Sequence, residues 1–64
     1  MDQYEYAARQ EGWVVTLNHN GVYVAHDEIT GDTEPCYILT ADTYPDAWRE
    51  LCTLEGIEVD YENG

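Results

Sequence analysis

Sixty-four residues carry 14 Asp and Glu against two Arg and no Lys, a formal charge of −12, while 44% are apolar and include six Tyr and two Trp. That apolar share is too rich for a disordered acidic tail, so one small domain over residues 1–64 with a thin core is expected. The charge disfavours contact with phosphate backbones or anionic lipid, no run approaches the roughly 20 apolar residues of a membrane span or opens as a signal peptide, and the lack of Ser removes serine nucleophiles; a cytoplasmic protein is expected.

In chain order, Tyr4, Tyr6 and Ala8 alternate with polar or small neighbours and read as a first strand over residues 4–9. A short helix competes for the same segment, because Asp2 and Glu5 can form a capping box and Gly12 can end it. Glu11-Gly12 turns the chain into Trp13-Val14-Val15-Thr16-Leu17, a β-branched and aromatic strand. Asn18-His19-Asn20-Gly21 is a hairpin signal, since Asn and Gly tolerate the positive φ of tight turns. A third strand runs from Gly21 to His26, an acidic loop from Asp27 to Pro35, and a fourth strand from Cys36 to Thr40.

The best-marked element follows. Thr43 as N-cap, Pro45 in the first turn and Asp46 three residues after Thr43 predict a helix start. Tyr44, Ala47, Trp48, Leu51 and Cys52 recur at helical spacing, and Gly56 sits where the helix should stop. Ile57-Glu58-Val59-Asp60-Tyr61-Glu62 alternates strictly and reads as a fifth strand. The expected fold class is therefore α+β: an antiparallel sheet of about five strands with one α-helix packed on one face. Trp13 and Trp48, with Ile38, Leu51, Ile57 and Val59, are the expected core.

Cys36 and Cys52 lack metal-binding spacing and are expected as reduced, buried small hydrophobes; a single disulfide tying a strand to the helix is the alternative. His19 and His26 could in principle serve a Cys–His site, but a thiolate needs electropositive surroundings and this chain supplies the opposite. No enzymatic activity, cofactor or metal centre is expected. The acids Asp27, Glu28, Asp32 and Glu34 do not match an EF-hand loop.

The distribution of charge is more telling than its total. Residues 12–26 contain no acid and no Arg. Asp27, Glu28, Asp32 and Glu34 load the next loop. Asp42, Asp46 and Glu50 are spaced by four, the latter two on one stripe of the helix and Asp42 near its N-terminus. Glu58, Asp60 and Glu62 share one face of the last strand, about 6.6 Å apart. Like charges at such spacings each cost a few tenths of a kcal/mol, and solubility alone asks for a net charge of only about 2–8. These ten acids are the expected partner-binding residues. Carboxylates at regular separations reproduce a phosphate pattern, so a cationic DNA-binding cleft would take them in bidentate pairs with its Arg residues. Tyr37, Tyr44 and Tyr61, interleaved with them, suit stacking on Arg.

In size, charge, single-domain layout and strand-dominated pattern, the whole chain resembles the DNA-mimicking inhibitors of phages and other mobile elements, and among them the small acidic anti-CRISPR proteins. That resemblance implies the cytoplasm of a bacterial host and a type I CRISPR surveillance complex as target. The implied site is where the large subunit reads the PAM and grips duplex DNA. The group shares no common motif, so no residue role carries over. The same features are similar to the uracil-DNA glycosylase inhibitor and to acidic anti-restriction proteins. Two further readings use the charge differently: a halophilic protein whose acids serve solvation in concentrated salt, and an acidic antitoxin or regulatory module that covers a basic protein patch.

Overall fold

A computed structural model of the chain describes residues 2–29 and 35–59. The element order is α1 (Gln3–Gln10), β1 (Trp13–Leu17), β2 (Tyr23–Asp27), β3 (Tyr37–Ile38) and α2 (Tyr44–Glu55). The three strands form one antiparallel sheet in the order β1-β2-β3. The α+β class stands, but five strands with one helix is corrected to three strands with two helices.

The first correction is residues 4–9, which are helical. Asp2 caps α1, its carboxylate accepting the Tyr4 amide at 2.7 Å, and Glu5 pairs with Arg9 one turn on at 2.8 Å. Tyr4 and Ala8, four apart, turn towards the core, whereas Tyr6 is 59% exposed. The two tyrosines thus lie on different sides of a helix and not on one face of a strand; the Ala, Gln and Arg around them favour the helix.

Gly12 ends this segment with φ +91°, and a Cβ there would stand 2.6 Å from Ile29 Cδ1. The chain then enters β1. Asn18 shapes the β1–β2 connection: its side-chain oxygen accepts the amides of Asn20 and Val22 at 2.9 and 3.0 Å, and Gly21 takes φ +82°. The hairpin register pairs Trp13 with Asp27, Val15 with Ala25 and Leu17 with Tyr23.

The strand expected over residues 36–40 contracts to Tyr37–Ile38. Leu39 is buried in the core, and the amides of Thr40 and Ala41 go to the Glu50 carboxylate of α2. Those amides are therefore engaged by a helix side chain, and the ladder stops. Helix α2 follows its sequence signals closely. Thr43 Oγ1 accepts the Asp46 amide at 3.3 Å, Pro45 lies in the first turn, and Gly56 closes the helix at φ +69°.

Both helices pack on the sheet face that carries Trp13, Val15 and Ala25. The core joins these to Ala8, Leu39, Ala47, Trp48, Leu51 and Cys52. Trp48 is fully buried, with Tyr44 edge-on at 6.0 Å and the Arg9 guanidinium 4.9 Å from its ring centre. Ile38, expected inside, is 73% exposed on the opposite sheet face. Both cysteines are free thiols; Cys52 is buried as expected, but Cys36 is exposed. Past α2, Ile57 and Val59 pack on the core and Glu58 faces out, so the alternation persists without strand pairing among the described residues. The rest of the expected fifth strand, residues 60–62, lies outside the described residues.

Candidate acidic interface

The carboxylates divide by what they already hold. Asp2 caps α1 and Glu5 neutralises Arg9. Asp27, half-buried at the end of β2, accepts the Ile29 amide at 2.9 Å. Glu50, half-buried in α2, accepts the Thr40 amide at 2.9 and 3.1 Å, the Thr40 hydroxyl at 3.1 Å and the Ala41 amide at 2.9 Å. Glu55, at the end of α2, accepts the Tyr37 hydroxyl. That bond, which the phenol loses on ionising, holds the Tyr37 hydroxyl above its ordinary pKa, with desolvation adding to the shift.

Five others differ. Glu11, Glu28, Asp42, Asp46 and Glu58 are exposed, and their carboxylates form no hydrogen bond or ion pair among the described residues. Each is placed by an element boundary. Glu11 follows α1, Glu28 follows β2, Asp42 precedes α2, Asp46 lies in its first turn and Glu58 lies beyond its glycine cap. Boundaries are where side chains leave the packed faces, so these acids stay in water and keep their charge available.

Of the ten acids singled out in the sequence, Glu28, Asp42, Asp46 and Glu58 are exposed in this way. Asp27 and Glu50 serve the fold. Asp32, Glu34, Asp60 and Glu62 lie outside the described residues. The helical series Asp42, Asp46, Glu50 is not an uninterrupted anionic stripe. Arg49 shares a shallow groove of about 480 Å³ with Asp46, Glu50, Thr40, Ala41 and Thr53.

Two acids missing from that group come into view. Glu11 and Glu55 line a cleft of about 290 Å³ together with Glu58, Trp13, Gly56 and Ile57. Glu11 reads locally as a turn residue, and its approach to the far end of α2 depends on helix packing; no spacing rule reveals it. Three carboxylates around one concave surface reinforce each other's field, and a cleft focuses it. Among the described residues no three His, Cys, Asp or Glu come together in a way that could hold a metal ion, and no helix is long and apolar enough to cross a membrane. His19 is exposed in the turn and His26 half-buried on β2, opposite Val14.

No protein-family model, curated protein or solved structure matches this chain.

Proposed function

We propose that this protein is an acidic decoy that occupies the cationic DNA-binding surface of a bacterial DNA-handling complex and thereby keeps DNA out. The observation that carries the reading is the set of five exposed carboxylates, Glu11, Glu28, Asp42, Asp46 and Glu58, that have no hydrogen-bond or ion-pair partner among the described residues, in a chain of charge −12. Carboxylates engaged inside a fold must break those bonds before they can meet a partner. These five need not. Each can take an Arg fork in a charge-assisted, bidentate pair, worth roughly twice a neutral hydrogen bond. The field draws a basic partner in from solution and the pairs then hold it.

The target class is a type I CRISPR surveillance complex, at the PAM-reading, duplex-gripping site of its large subunit. The support for that choice is the resemblance in size, charge and layout to small acidic anti-CRISPR proteins. A restriction enzyme or a uracil-DNA glycosylase presents a surface of the same sign.

The test is capture followed by competition. Immobilised protein is exposed to bacterial lysate containing such a complex, and duplex DNA is then added. Expected is retention of the complex, its release by duplex and, in the converse assay, loss of target DNA binding as this protein is added. Retention that duplex leaves untouched, or target DNA binding that persists at saturating protein, overturns the reading. A chain that unfolds in dilute salt and captures nothing is instead a halophilic protein.

A further inference from the structure

Two arginines are the chain's whole complement of Arg and Lys, and only one is used inside the fold. Arg9 pairs with Glu5 at 2.8 Å, lies 4.9 Å from the centre of the Trp48 ring and reaches the Tyr44 hydroxyl at 3.4 Å. Arg49 is exposed on α2, and its guanidinium forms no hydrogen bond, ion pair or ring contact among the described residues. Two acids stand near it in the sequence, yet neither neutralises it. Glu50 is spent on the Thr40 and Ala41 amides. Asp46, one turn back, is one of the five exposed carboxylates without a partner among the described residues, and it lines the same shallow groove as Arg49.

We propose that Arg49 sets the specificity of the acidic surface, admitting only a basic partner that holds a carboxylate among its own arginines. The inference rests on the decoy reading, because it follows from bringing Asp46 against a cationic surface. Side chains one helical turn apart have Cβ atoms about 5–6 Å apart, within the screening length of about 8 Å at physiological ionic strength. A surface close enough to pair with Asp46 is close enough to feel Arg49. A uniformly basic surface is repelled there, and covering an unpaired guanidinium adds a desolvation cost.

A carboxylate set among the partner's arginines removes both penalties. It takes the Arg49 fork in a bidentate pair while a neighbouring arginine of the partner takes Asp46. Free anions do not compete for the groove, since the field of a chain of charge −12 keeps them away; only an acid carried in by a net-basic partner arrives. Duplex DNA offers no cation, so Arg49 adds a contact that imitation of phosphates does not supply. A repulsive element of this kind separates one target from the many proteins that are merely basic.

Equilibrium binding to two probes tests it: poly-lysine, and the type I surveillance complex of the capture assay. Arg49→Ala and Gln3→Glu each make the chain more negative by one charge. Gln3 is exposed in the first turn of α1, so the two variants separate total charge from its place. On poly-lysine, which has no internal carboxylate to offer, Arg49→Ala should bind more tightly than the unaltered chain. On the complex, Gln3→Glu should bind at least as tightly as the unaltered chain and Arg49→Ala at least about tenfold more weakly. Arg49→Glu should be weaker still, and Arg49→Lys should recover part of the loss. Circular dichroism checks that each variant folds. Arg49→Ala that fails to tighten on poly-lysine, Arg49→Ala or Arg49→Glu that holds the complex as tightly as the unaltered chain, or Gln3→Glu that loses as much as Arg49→Ala overturns the proposal. An unaltered chain that retains no complex overturns the decoy reading, and the proposal with it.

Discussion

The carboxylate of Glu50 accepts both the backbone amide and the side-chain hydroxyl of Thr40, and so fastens the end of the sheet to α2. An acid that looks like one of a surface series is a structural clasp. Glu50→Ala should destabilise the domain by about 2 kcal/mol, because hydrogen bonds to a charged acceptor are lost and the half-buried Ala41 amide is left without its partner. Asp46→Asn, at an exposed carboxylate, should cost under about 1 kcal/mol, its main loss being the favourable charge at the helix N-terminus. Urea denaturation of the two variants checks the contrast.

Two glycines with positive φ should respond differently to alanine. At Gly56 (φ +69°) an added Cβ has nothing within 4 Å, so Gly56→Ala should cost about 1 kcal/mol for backbone conformation alone. At Gly12 the φ of +91° lies further from the left-handed region that L residues tolerate, and the Ile29 Cδ1 that an added Cβ would meet at 2.6 Å belongs to a 77% exposed side chain that can turn aside, so Gly12→Ala should cost about 2 kcal/mol, chiefly in the backbone. Equal losses in thermal melts would contradict the larger backbone strain at Gly12.

The Tyr37–Glu55 bond gives stability a dependence on alkaline pH. The Tyr37 pKa is raised in the folded protein above its ordinary value of 10.0. The folded state therefore holds the phenolic proton more tightly than the unfolded chain does. Its contribution is fully present below about pH 10 and is lost as pH rises through the folded pKa. Tyr37→Phe should be less stable near neutral pH and should show a shallower decline above pH 10 in denaturant titrations.

Thiol chemistry should separate the cysteines. Cys36 is exposed, whereas Cys52 is buried, donates weakly to the Tyr4 carbonyl at 3.4 Å and has its pKa raised by burial. A thiol reagent at neutral pH should modify Cys36 promptly and Cys52 only when the domain opens. Two equal rapid phases in the native protein would contradict the packing of α1 on α2.

For the decoy reading, Glu11→Lys with Glu58→Lys should weaken capture of the target by several kcal/mol, since pairs are lost and repulsion is gained in one cleft. The neutral pair Glu11→Gln and Glu58→Gln should weaken it less. Association rates should fall steeply as salt rises; a flat dependence would mean that the charges do not steer the encounter.

By itself the sequence determined whatever depends on residues a few positions apart. The Thr43 cap, Pro45, the helical recurrence up to Cys52 and the Gly56 stop define α2, and Asn18 to Gly21 define the hairpin, because caps and turns are closed by neighbouring amides. It also determined the charge and its absence from residues 12–26. Tertiary structure decided the rest. Residues 4–9 carry a cap that suits a helix and an alternation that suits a strand; burial of Tyr4 and Ala8 beside Cys52, 48 residues further on from Tyr4, accompanies the helical outcome. The outward turn of Ile38, the capture of the Thr40 and Ala41 amides by Glu50, and the meeting of Glu11 with Glu58 likewise depend on partners distant in the chain. An amide or an apolar side chain specifies that it must be satisfied or buried, and only the packed whole specifies by what.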